Sequence, residues 1–193
     1  MGVELPQPPV LAGDLAADAA DASAFLLQGA DLIGRHGEPA GRTEAEKRDV
    51  DTVKAALDDV RERFLRRHTR ALYAELTNNG AEAMRADALV YAAAERVPGL
   101  TPRRVVVDIE RDRLQKDKEG WEIAQGRLLG HVLAHPECGP HLIEVMLRPT
   151  ELALAHLDEL RQTGRADLGQ AAVERRGRVG VAELRNPRHL NAW

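Results

Sequence analysis

The sequence predicts a mainly α protein: a multi-helix domain built around one long helix at about residues 44–76, followed by a C-terminal β-hairpin. Three observations carry this expectation. Thr43-Glu44-Ala45-Glu46 is a capping box, in which a threonine hydroxyl and a downstream glutamate satisfy each other's free backbone amides. Behind it, Val50, Val53, Leu57, Val60, Phe64, Leu72 and Leu76 lie largely on one helical face, and the alternating steps from Val50 to Phe64 match a coiled-coil-like seam. After Gly164 the helical period gives way to strand, turn and strand.

The elements follow in order. Residues 1–12 are proline-rich and read as a flexible N-terminus, with the helical domain over 13–164 and the first strands of a further domain over 165–193. Leu15, Ala22, Phe25, Leu26, Leu32 and Ile33 stand near helical spacing; Gly29 weakens that pattern, and Gly34 and Gly37 end it. The 44–76 helix, about 50 Å long at ~1.5 Å per residue, reads as a packing spine or an oligomer interface. Asn78-Asn79-Gly80 supplies its left-handed stop. A helix over 81–97 ends at Pro98. Thr101-Pro102 reads as an N-cap and first-turn proline, so a further helix is expected from Pro102, interrupted across Gln115–Gly120. Trp121–Ala134 is amphipathic, with Ile123, Leu128, Val132 and Leu133 as core candidates. Short helices are expected over 137–147 and 150–162. Ala171–Glu174, a turn at Arg175–Arg178 and Val179–Leu184 complete the hairpin.

Composition excludes several classes of function. Aromatic residues make up 3% of the 193 residues, so the core must be aliphatic. A net charge of −4 and a pI near 6.0 give no general attraction to nucleic acid or to an anionic membrane. No apolar run approaches the ~20 residues that span a bilayer, and the N-terminus has neither the basic nor the apolar segment of a secretion signal. Cys138 is the single cysteine, which precludes an internal disulfide and fits a reducing compartment. A soluble, cytoplasmic protein is expected.

Few side chains announce chemistry. His131, His135, Cys138 and His141 are close in sequence but match no zinc motif, and His135 precedes Pro136 at an expected helix end; capping or surface roles are expected, with no metal site. Cys138 lacks the surroundings of a nucleophile. Arg61, Arg63, Arg66, Arg67 and Arg70 are interleaved with Asp58, Asp59 and Glu62, the pattern of an ion-paired helix face. Gly126–Gly130 follows no strand and is no phosphate loop.

The C-terminal string is more specific. Val179–Leu184 followed by Arg185-Asn186-Pro187-Arg188-His189-Leu190-Asn191-Ala192 resembles the opening of the crotonase (enoyl-CoA hydratase/isomerase) fold, where a strand and N-P-x-x-L-N-A lead the chain past bound coenzyme A. Pro187 ends the strand, Leu190 anchors the turn and the Asn191 side chain can bond to backbone. Arg188 and His189 are left to face solvent or ligand, and the resemblance implies that these two residues contact the coenzyme A. With Leu114–Gly120, Glu122–Gly126, His131–Leu133 and Arg175–Gly177 added, the chain beyond about residue 43 is similar to one branch of that superfamily, the (3,5-dihydroxyphenyl)acetyl-CoA 1,2-dioxygenase family of dihydroxyphenylglycine and glycopeptide antibiotic biosynthesis. Trp193 departs from the acidic residue usual after L-N-A in that branch.

The resemblance implies a cofactor-free oxygenation without metal or flavin. An arylacetyl-CoA thioester loses a Cα proton, backbone amides stabilise the enolate, and the carbanion reacts with O2 to give an arylglyoxylate and CoA. It also implies that this chain is an N-terminal portion, truncated at the start of the catalytic fold, with no catalytic residue of its own, inactive alone, and part of a homo-oligomer. Two other readings stand beside it: part of an enoyl-CoA hydratase or isomerase, or a non-catalytic helical oligomerisation or interaction protein.

Overall fold

A computed structural model of the chain describes residues 4–169 and 171–185. It divides into two compact units, Met1–Met146 and Leu147–Trp193.

The first unit is helical. Asp14 caps helix α1 (Leu15–Gly34) by accepting from the Ala17 amide at 2.8 Å. Helix α2 (Glu44–Leu76) opens on the complete capping box: the Glu46 amide donates to the Thr43 hydroxyl and the Thr43 amide to the Glu46 carboxylate. The spine reading holds for this helix. Val50, Val53, Leu57, Val60, Phe64, Leu65 and Leu72 are all buried inside the unit against α1, α3 (Ala86–Arg96) and α5 (Ile123–Ala134), so the seam is core. At Gly29 helix α1 comes close against α2. A Cβ there would stand 2.3 Å from Leu57 Cδ2, so the residue that weakens the sequence pattern is the one that lets the helices meet. Asn78, Asn79 and Gly80 all adopt positive φ, and the Asn79 amide reaches the Ala74 carbonyl at 2.7 Å to end α2.

Two boundaries and one buried face differ from expectation. Helix α3 begins at Ala86 rather than near 81, because the chain first completes the left-handed turn that closes α2. Helix α4 is Arg104–Arg111, and its N-cap is Arg103. Thr101 is no cap: it is buried, and its hydroxyl donates to the Val90 carbonyl at 2.6 Å, bonding the turn after α3 back onto that helix. In α5 the buried face is Ala124, Leu128 and Val132; Ile123 and Leu133, expected in the core, are 64% and 49% exposed. Helix α6 (Cys138–Leu147) follows the short link at His135.

In the second unit the helix expected over 150–162 is broken at His156 into α7 (Glu151–Ala155) and α8 (Leu157–Thr163), with Gly164 in left-handed conformation. The expected hairpin is present but gains a partner. Strands β1 (Arg165–Asp167), β2 (Ala171–Arg176) and β3 (Val179–Leu184) form one antiparallel sheet in that order. The β2–β3 register pairs Arg176 with Val179, so the turn is tighter than the four residues expected. Only Ala166 and Ala172 of this sheet are buried, and β3 is an edge strand with Val179 and Leu184 exposed.

Candidate functional site

Arg188 and His189, the residues expected to contact coenzyme A, lie outside the described residues. The strand that leads to them is fixed by ion pairs at its end: the Arg185 guanidinium reaches Asp167 at 2.9 Å and Glu183 at 3.1 Å.

In the helical unit, chemistry-bearing side chains gather in three places. The first is buried. Asp18 on α1 and His68 on α2 meet at 2.7 Å, both nearly inaccessible, and Asp18 also accepts the Ala12 and Gly13 amides at 2.7 and 2.8 Å. Burial opposes ionisation of this carboxyl, yet the hydrogen bonds from His68 and the two amides outweigh it and hold it below the ordinary aspartate range. The pair has no open face toward a substrate. It ties α1, α2 and the segment before α1 together, helped by Arg63 and Arg67, which donate to the Pro9 and Leu11 carbonyls.

The second gathering is the family-like segment Leu114–Gly120. Glu119 is gripped by Arg42 and by Lys54, whose ammonium lies 2.7 Å from the carboxylate and 2.9 Å from the Glu119 carbonyl. Buried Glu110 accepts the Glu119 and Trp121 amides at 2.7 and 3.3 Å. Burial raises the Glu119 pKa, but the hydrogen bonds from Arg42 and Lys54 prevail and keep it low. The sequence marks this segment as polar and irregular. It does not show that one glutamate answers two cations from distant parts of the chain, because those partners meet only in the fold.

The third is a concavity of about 470 Å³ at the end of α2, lined by Arg70, Tyr73, Thr77, Asn79, Cys138 and His141 among others. The Tyr73 hydroxyl and His141 Nδ1 are 2.7 Å apart. Burial pushes the Tyr73 phenol up, as does charge at Cys138, so tyrosine is no base here. Burial likewise raises the Cys138 thiol, with Glu137 adding to the effect, so this cysteine is a poor nucleophile, in line with the sequence reading. The four residues that superficially suggest a metal cluster are separately engaged. His131 pairs with Glu62 at 3.0 Å, His135 ends α5 and accepts the Glu137 amide at 3.2 Å, His141 serves Tyr73 and Cys138 is buried. Among the described residues no three such side chains converge.

The arginine run is the ion-paired face expected of it, with Arg63 on Asp59, Arg66 on Glu62 and Arg70 on Glu137. Arg67 donates to the Leu11 carbonyl instead. Arg61 is buried and donates to the Gly99 carbonyl as well as to Asp58. No helix of the described residues is long and apolar enough to cross a membrane.

No protein-family model matches the sequence. Over 165 residues, 84% of the chain, it is 39% identical to the (3,5-dihydroxyphenyl)acetyl-CoA 1,2-dioxygenase of Amycolatopsis orientalis. This chain is a relative of that dioxygenase. The match is too long to leave out the helical unit, so the resemblance read from short motifs extends through the helices that carry the core. The chain spans 37% of the length of the dioxygenase.

Proposed function

We propose that this chain supplies the helical portion of a cofactor-independent dioxygenase that converts (3,5-dihydroxyphenyl)acetyl-CoA and O2 to (3,5-dihydroxyphenyl)glyoxylate and CoA. The observation that carries the reading is the 39% identity over 84% of the chain to an enzyme of that name. The chemistry needs no resident cofactor. Loss of a Cα proton, acidified by both the thioester and the aryl ring, gives an enolate. O2 adds at Cα, the distal peroxide oxygen attacks the thioester carbonyl and expels CoA thiolate, and O–O scission with loss of the second Cα proton leaves the 2-oxo acid. In this scheme the string around Arg188 and His189 holds coenzyme A, offering cations to its phosphates. The catalytic amides belong to a crotonase-type domain begun by β2 and β3. A three-stranded sheet with two buried alanines is poorly covered by itself, which fits a sheet completed by further structure. The helical unit is a rigid platform against which a water-excluding site closes. The enzyme acts in the cytoplasm as a homo-oligomer, without metal or flavin, and this chain alone does not turn over.

The test is a chimera in which this chain replaces the matching portion of the Amycolatopsis dioxygenase. O2 uptake coupled to CoA release from (3,5-dihydroxyphenyl)acetyl-CoA is expected of the chimera and not of the chain alone. A folded chimera that releases no CoA in the presence of O2, or turnover by the isolated chain, contradicts the proposal.

A further inference from the structure

The helical unit carries a cavity that none of the three polar gatherings uses. It measures about 260 Å³ and lies between α1, α4 and the turn after α3. Its walls are Leu26, Leu27 and Ala30 from α1, Val106 from α4, and Pro102 and Trp121. A floor this close to α1 depends on Gly99, which stands at positive φ where a Cβ would lie 2.7 Å from that of Leu26. The space opens to solvent, since Leu27 on its α1 wall is 52% exposed.

Two guanidinium groups border this apolar space. Arg61 reaches it from α2: it is buried, and its bonds to Gly99 and Asp58 use three of the five N–H donors of an arginine. Arg103, at the start of α4, also lines it, and its exposed guanidinium makes no hydrogen bond or ion pair with any described residue. Its neighbour Arg104 is occupied, stacked over the Tyr91 ring at 4.1 Å. No carboxylate lines the cavity. An apolar chamber with an indole on one wall, an unpaired cation in its lining and no anion of its own is complementary to one kind of small molecule.

We propose that this cavity binds a small aromatic carboxylate, with its ring between Leu27, Val106 and Trp121 and its carboxylate paired with Arg103. The ring supplies apolar contact and the guanidinium supplies selection. Loss of the charge on either partner is expected to weaken binding about tenfold. The existence of this site does not depend on the oxygenase reading.

The test is ligand-observed fluorine NMR with 4-fluorobenzoate on the full chain, alongside fluorescence of Trp121 in a Trp193→Phe background. The expected result is saturable binding at about millimolar concentration, as befits a fragment of this size. It is weakened about tenfold for 4-fluorobenzamide and about tenfold in Arg103→Leu, a change at an exposed residue that leaves the fold intact. Val106→Trp, which fills the chamber, abolishes binding; circular dichroism of each variant confirms the helices. Equal binding of the benzoate and the benzamide overturns the proposal, as does the absence of saturation, or binding unchanged in folded Arg103→Leu. Concentration-dependent self-association of the chain that is abolished by Val106→Trp also overturns it, since the face then belongs to a second copy.

Discussion

Alanine in place of Gly29 isolates the contact on which the α1–α2 packing turns. At a solvent-exposed position in a helix interior the change is stabilising by about 1 kcal/mol, because glycine has more backbone freedom to lose. Gly29 is buried, and the added Cβ would lie 2.3 Å from Leu57 Cδ2, 3.0 Å from Cγ and 3.2 Å from Cδ1. Rotation of the Leu57 methyls cannot relieve the Cγ contact, and Leu57 is itself fully buried, so the helices must move apart. Overpacking of this kind costs about 1–3 kcal/mol, and the close approach to three atoms of one side chain places it in the upper part of that range. Set against the propensity gain, Gly29→Ala is predicted to destabilise the helical unit by about 1–2 kcal/mol. For a unit of this size the melting temperature falls by about 2–4 °C per kcal/mol. Urea unfolding is the assay: the midpoint should fall with little change in slope. Leu57→Ala alone leaves a cavity and costs about 2–5 kcal/mol, but combined with Gly29→Ala it should cost at least about 1 kcal/mol less than the sum. A Gly29→Ala protein as stable as the parent, or strict additivity in the double variant, would refute the reasoning.

Four further outcomes are expected. Asp18 and Glu119 both have folded-state pKa values lowered below their unfolded values, so their contributions are fully present above the ordinary carboxylate range near pH 4 and are lost as the pH falls through the folded values. Stability measured by urea midpoint should therefore drop steeply below about pH 4, and Asp18→Asn should flatten that drop. His68→Ala breaks a buried pair and should cost about 3–5 kcal/mol at neutral pH; a loss under 1 kcal/mol would show that the pair is not buried as described. Thr43→Ala removes half of the capping box and should cost about 1 kcal/mol by the same assay. Cys138, buried with a raised pKa, should react with a disulfide reagent slowly in native protein at pH 8 and rapidly in urea; equal rates would mean that Cys138 is not buried.

Much of the helical unit was legible because its signals are local. Thr43 and Glu46 close their box within one turn, and Val50 to Phe64 repeat on one face whatever they pack against. The pairs of Arg61, Arg63 and Arg66 are likewise set by three- and four-residue spacing, whereas Arg70 finds Glu137 only in the fold. What escaped depends on tertiary partners. Thr101 has the chemistry of a cap, but the Val90 carbonyl is the better-placed acceptor once the turn folds back. Ile123 and Leu133 carry the right hydrophobicity on the wrong side of α5. Strand β1 is three residues long and has no pattern of its own; it becomes a strand only because Gly164 turns the chain back along β2. The Arg42–Glu119–Lys54 cluster joins residues far apart in sequence, and the unpaired Arg103 is recognisable only by the absence of neighbours in space. Short strings carry the resemblance to the dioxygenase, and 39% identity over 84% of the chain extends it beyond them.

The fate of the oxygen atoms tests the proposed chemistry most directly. The chimera supplied with (3,5-dihydroxyphenyl)acetyl-CoA under isotopically labelled O2 should yield an arylglyoxylate carrying both oxygen atoms of one O2 molecule, with one CoA released per O2 consumed. A product whose new oxygen comes from water, or CoA release without O2 uptake, would contradict the assignment and place the chain with hydrating or hydrolytic enzymes instead.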